Sequence, residues 1–74
     1  MKLIYDPEAD ALYIRLHDAP AQCRVARLTD DVAVDHDAQD EVVGVEVLHA
    51  RRVLGGGGTP VVELQNLTGR PAAG

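Results

Sequence analysis

"VAVDHDAQDEVVGVEVLHA", residues 32–50, carries two runs of alternating side chains separated by a polar break. Val32 and Val34 alternate with Ala33 and Asp35, and Val43, Val45 and Val47 alternate with Gly44 and Glu46. A period of two is what a half-buried strand produces, because successive side chains point to opposite faces of a sheet. β-Branched residues at this density favour a pleated surface over a helix. The break, Asp37-Ala38-Gln39-Asp40, is short and polar, so it reads as a turn between antiparallel neighbours. Gly44, inside the second run, suggests a bulge or the close approach of another backbone, and either lets a small sheet curl over its own core.

Working outward, Leu12, Ile14 and Leu16 alternate with Tyr13, Arg15 and His17, and shorter apolar stretches at Leu3–Tyr5 and Cys23–Leu28 read as two further strands. Asp6-Pro7-Glu8-Ala9-Asp10 places Pro where a turn needs a fixed φ and Asp where side chains bond nearby amides, which joins the first two strands as a hairpin. Asp6, Glu8 and Asp10 are thus read as turn chemistry rather than as a site. Thr29-Asp30-Asp31 is another polar turn. Each connection is too short for the dozen or more residues of a parallel crossover. The expected fold is mainly β (α+β), a single antiparallel β-sheet meander of about five strands with a short C-terminal helical segment.

That helical segment is His49–Leu54, closed by Gly55, which reaches the left-handed C-terminal conformation without a Cβ penalty. Residues 1–54 form the β domain, and residues 55–74 a Gly-rich linker and C-terminal arm, not a separate domain. Gly55 to Gly58 has the composition of a flexible tether. It lacks the Lys-Ser or Lys-Thr of a phosphate loop. Thr59-Pro60 resembles a helix start and Thr68-Gly69 a stop. Between them Val61 and Val62 favour a strand, while Leu64 and Leu67 fit a helical stripe; the reading leans to a short helix. An apolar segment on such a tether is placed to reach a partner chain as a swapped or docking arm.

A chain of 74 residues makes one domain at most, with a core that rarely supplies more than about 3–5 kcal/mol of net stability. There is no Phe or Trp, and Tyr5 and Tyr13 are the only aromatics, so the core is built from Val, Leu, Ile and Ala. An underfilled core of this kind predicts self-association as a homodimer. The single cysteine, Cys23, excludes an internal disulfide framework and fits a reducing cytoplasm. No apolar run approaches the roughly 20 residues that span a bilayer, and Met1-Lys2 leads into a strand pattern rather than a signal peptide. Seven Lys and Arg against twelve Asp and Glu leave a net charge of -5. That balance argues against nucleic acid, for which Arg24 with Arg27 and Arg51 with Arg52 are the only basic pairs.

"YDPEADALYIRL" (5–16), followed about twenty residues later by "VAVDHDAQDEVVGVEVLHA", resembles the bacterial family called domain of unknown function 2283. Members typically carry a tyrosine-aspartate-x-glutamate-alanine-aspartate-alanine-leucine-tyrosine-isoleucine hairpin and a second hairpin running from valine-aspartate-tyrosine-aspartate to valine-glycine-isoleucine-glutamate-isoleucine-leucine. The likeness covers residues 4 to 50 or so. It departs at His36, where an aromatic is more usual, and at Gln39-Asp40, where an Asp-Gly turn is usual. The resemblance implies a small stand-alone β protein without assigned catalytic residues. Because some members are encoded beside small toxin-like proteins, it also implies an antitoxin-like, protein-binding role. An acidic chain suits a small basic protein partner, since complementary charge speeds encounter and sets orientation.

The alternative is a metal- or small-ligand-binding domain using the acidic turn at Asp35 to Glu41. Asp35, His36 and Asp37 are the candidate metal ligands, with Asp35 and Asp37 on one face of a strand. An EF-hand register fails at Gln39, Asp40 and Glu46, and a zinc set of His36 with His17 or His49 and Cys23 lacks a close pair. An enzyme is not expected. Cys23 reads as a small buried hydrophobe rather than a nucleophile, Asp35 and Asp37 lack a cleft to share a proton in, and no cofactor is implied. Glu46, opposite in facing to Val45 and Val47, is expected in solvent or paired across a dimer with Arg15 or Arg24.

Overall fold

The computed structural model describes residues 1–18 and 23–67. Five strands form: β1 (Lys2–Asp6), β2 (Ala11–Arg15), β3 (Arg24–Arg27), β4 (Val32–His36) and β5 (Val42–Leu48). A single turn of helix, α1 (Ala50–Val53), follows β5. All neighbouring strands are antiparallel, in the order β1-β2-β5-β4-β3. The five antiparallel strands and the short helix are those expected, but the order is not that of a sequential meander. β5 inserts between β2 and β4, and the connection between β2 and β3 joins the second position to the far edge. That separation is about 14 Å, three strand spacings, within reach of an eight-residue connection.

The physical reason lies in the side chains. In this order Leu12 and Ile14 of β2 stand opposite Val47 and Val45 of β5, which in turn meet Val32 and Val34 of β4. The most apolar strands are therefore central. β3, only four residues long and ended by Arg24 and Arg27, takes the edge, where a short, charged strand discourages pairing with other chains.

The turns use the chemistry read from their composition. Asp6 Oδ1 accepts from the amides of Glu8 (3.0 Å) and Ala9 (3.3 Å). Asp37 Oδ1 accepts from those of Gln39 (2.9 Å) and Glu41 (3.0 Å). Thr29 Oγ1 accepts from those of Asp31 and Val32. Asp10 (φ 52°), Asp40 (φ 63°) and His49 (φ 52°) adopt the left-handed conformation, which Asp tolerates better than most residues because its side chain bonds locally.

The buried apolar residues are Leu12, Ala33, Val43, Val47 and Ala50. α1 covers one corner of the sheet, where Ala50 closes over Leu12 and Val47 with Tyr5, Ile14 and Val45 packed alongside. Residues 61–67 have no regular structure and are exposed, so the helix expected there does not form. A helix of this length is marginal without a packed face, and Val61 and Val62 lower its propensity further. Nor does that segment dock on its own sheet. The stop expected at Thr68-Gly69 lies outside the described residues.

Candidate functional site

The sheet register builds two distinct faces. On one, Leu3, Ile14, Val45, Val34 and Ala26 stand directly opposite one another in turn, an apolar row crossing all five strands. The adjacent row, Tyr5, Leu12, Val47 and Val32, lies toward α1, and its central members Leu12 and Val47 are buried beneath Ala50. The first row is not closed: Leu3 is 39% exposed, and Ile14, Val45, Val34 and Ala26 are only half-buried.

The other face is polar and braced by Tyr13. Its hydroxyl donates to Asp35 Oδ2 at 2.7 Å, so the ring reaches from β2 across β5 to β4. Gly44 lies under this reach; a Cβ there would sit 2.1 Å from the Tyr13 hydroxyl oxygen and 2.6 Å from Cζ. The close approach expected at Gly44 is real, but it is made by a side chain rather than a backbone. A register irregularity also adjoins it, since Asp35 pairs with Gly44 and His36 with Val42, leaving Val43 as the extra residue. The bond to Asp35, then desolvation, push the Tyr13 hydroxyl above its ordinary range.

Asp10 has a role that composition does not announce. Its carbonyl oxygen accepts from the Ala50 amide (2.9 Å) and its Oδ1 from the Arg51 amide (3.1 Å), so the first hairpin caps α1 from across the fold. The same Oδ1 accepts from Tyr5 Oη at 2.8 Å, and the Arg51 guanidinium lies 6.0 Å above the Tyr5 ring. Desolvation is the largest influence on the Asp10 carboxyl and pushes it up, but the Tyr5 and Arg51 bonds and nearby positive charge outweigh it and hold it below the usual range. Desolvation, then the bond to Asp10, raise the Tyr5 hydroxyl. A second anchor lies beside the helix. Asp31 Oδ1 is 2.8 Å from His49 Nδ1 and accepts from Arg52 at 3.0 Å, and these bonds, His49 first, lower its carboxyl despite desolvation.

The sequence candidates fall as follows. Asp35 is engaged by Tyr13 and Asp37 by its own turn, and His36 Nδ1 is buried without a hydrogen-bond partner. Among the described residues no group of three or more His, Cys, Asp or Glu is arranged to hold a metal ion. Cys23 is exposed just ahead of β3, not buried as expected. Both basic pairs are engaged within the chain: Arg24 with Asp40, Arg27 with the Asp30 carbonyl, Arg51 with the Pro7 carbonyl and Arg52 with Asp31. Glu46 is half-buried between Tyr13 and Ala33 on the polar face and has no ion-pair partner among the described residues. No described helix is long and apolar enough to cross a membrane.

The family model described as "Protein of unknown function (DUF2283)" matches residues 2–51, which span every strand and the start of α1. No curated protein and no solved structure matches the chain.

Proposed function

We propose that this chain, which belongs to the DUF2283 family, is a protein-binding module acting as a homodimer, with the open apolar row of its sheet closed by the same row of a second copy. The observation that carries the reading is that row, Leu3, Ile14, Val45, Val34 and Ala26, in register across the sheet and left half-exposed by an α1 that covers only its neighbour. Two such faces pack as a sandwich about 10 Å apart.

The dimer is the platform for an antitoxin-like role in a bacterial cytoplasm, the setting that the family resemblance suggests. Its partner is a small basic protein, because the chain carries a net charge of -5 and its exposed turns present Asp6, Glu8, Asp40 and Glu41. The reading assigns no catalytic step and needs no cofactor. A tagged chain and its Val34→Glu variant, passed over a bacterial lysate, test it. Retention of a small basic protein by the wild type, lost in the variant and at high salt, is the expected result. An identical set of retained proteins on both would refute the proposed face.

A further inference from the structure

Lys2 and Arg15 are direct cross-strand partners on β1 and β2. Like charges in that position, with Cβ atoms about 5 Å apart, destabilise a sheet. They face away from the apolar row, since Lys2 alternates with Leu3 and Arg15 with Ile14. Together with Met1, His17 and Asp18 they line a concavity of about 290 Å³. No ion pair joins either cation to a described residue, Asp18 included. Arg15 is half-buried, and its Nε–H is withdrawn from solvent with no acceptor.

An unpaired, partly desolvated guanidinium is costly unless an acceptor reaches it. Every other Arg among the described residues has such an acceptor: Arg24, Arg27, Arg51 and Arg52 are each bonded to a carboxylate or a carbonyl. In a chain with an excess of acids, two cations placed together without one are best explained by an acceptor from outside. A concavity lined by Cys23, Arg24, His36, Asp37 and Ala38 differs on this point, since its Arg24 is already tied to Asp40 and it contains the Asp37 carboxylate.

We propose that the concavity between β1 and β2 binds an oxyanion. Lys2 supplies a compact positive charge, and Arg15 the planar fork that matches two oxygens of one phosphate or carboxylate group. The site lies on the face opposite the dimer row, so it stands independently of the proposed function.

Amide chemical shifts followed by NMR during titration with inorganic phosphate, acetate and sodium chloride at matched ionic strength test the site. Phosphate is expected to give saturable shifts at Lys2, Arg15 and His17 that chloride does not, weakened at least tenfold in Arg15→Gln. Saturation by acetate at equal affinity identifies a carboxylate ligand; saturation by phosphate alone identifies a phosphate group. Lys2→Gln, at an exposed position on the edge strand, provides the same loss should Arg15→Gln perturb the fold. Shifts that grow linearly and equally with all three salts, or saturable shifts unchanged in both variants, would overturn the proposal.

Discussion

Replacing Gly44 with Ala tests the brace on the polar face. The new Cβ would lie 2.1 Å from the Tyr13 hydroxyl oxygen and 2.6 Å from Cζ, so the ring must leave β5 and its hydrogen bond to Asp35 must break. A hydrogen bond to a charged group contributes about 1.5–3 kcal/mol, and the partial exposure of this one puts it at the lower end. Ala gains back about 0.5–1 kcal/mol over Gly in a strand. The displaced ring also loses its packing, so the net cost is about 1–2 kcal/mol. For a domain of this size each kcal/mol lowers Tm by roughly 4–8 °C. The assay is urea unfolding of wild type, Gly44→Ala, Tyr13→Ala and the double variant. With the ring gone, Gly44→Ala should become neutral or stabilising. An equal cost in both backgrounds would refute the brace, as would a neutral Gly44→Ala in the wild type.

Asp10→Ala should release α1 from the first hairpin, with amide exchange at Arg51 and Val53 rising toward that of the exposed chain, while Asp10→Asn, which keeps an accepting oxygen, should preserve most of the protection. Asp10 and Asp31 have folded pKa values below the usual 3.8, so their contribution is present above that pH and lost as pH falls through the folded values. An acid titration of stability should therefore show a drop below about pH 4 that flattens in the Asp10→Asn, Asp31→Asn double variant. Tyr5 and Tyr13, raised above 10.0, contribute with the opposite sign: their stabilisation is present below pH 10 and lost as pH rises through the folded values, and Tyr5→Phe with Tyr13→Phe should blunt alkaline unfolding. Truncation after Gly58 removes residues that the fold leaves exposed from Val61 to Leu67 and should leave Tm unchanged; a marked drop would show that the arm belongs to the folded unit.

The strands were legible because alternation is a local signal. Val43, Val45 and Val47 declare a half-buried strand whatever they pair with. Their partners were not legible, because pairing β5 with β2 depends on matching Val47 to Leu12 and Val45 to Ile14 across thirty or more intervening residues, and connection length alone favoured sequential neighbours. The acids of the first hairpin show the same boundary. Asp6 was readable as a turn residue, since its acceptors act on the next few amides. The capping of α1 by Asp10 was not, because no local pattern connects a hairpin to a helix forty residues later. Gly44 announced a close approach without naming what approaches it. Cys23 is exposed although it sits in an apolar run, because that run begins before the strand does.

Sedimentation equilibrium of the wild type and of Val34→Glu and Val45→Glu bears most directly on the open apolar row. A row closed by a second copy gives a wild-type species of twice the 7.9 kDa chain mass. Each variant should sediment near the single-chain mass and retain its β circular dichroism. A wild type that stays monomeric at high micromolar concentration, or charged variants that dimerise as tightly as the wild type, would contradict it.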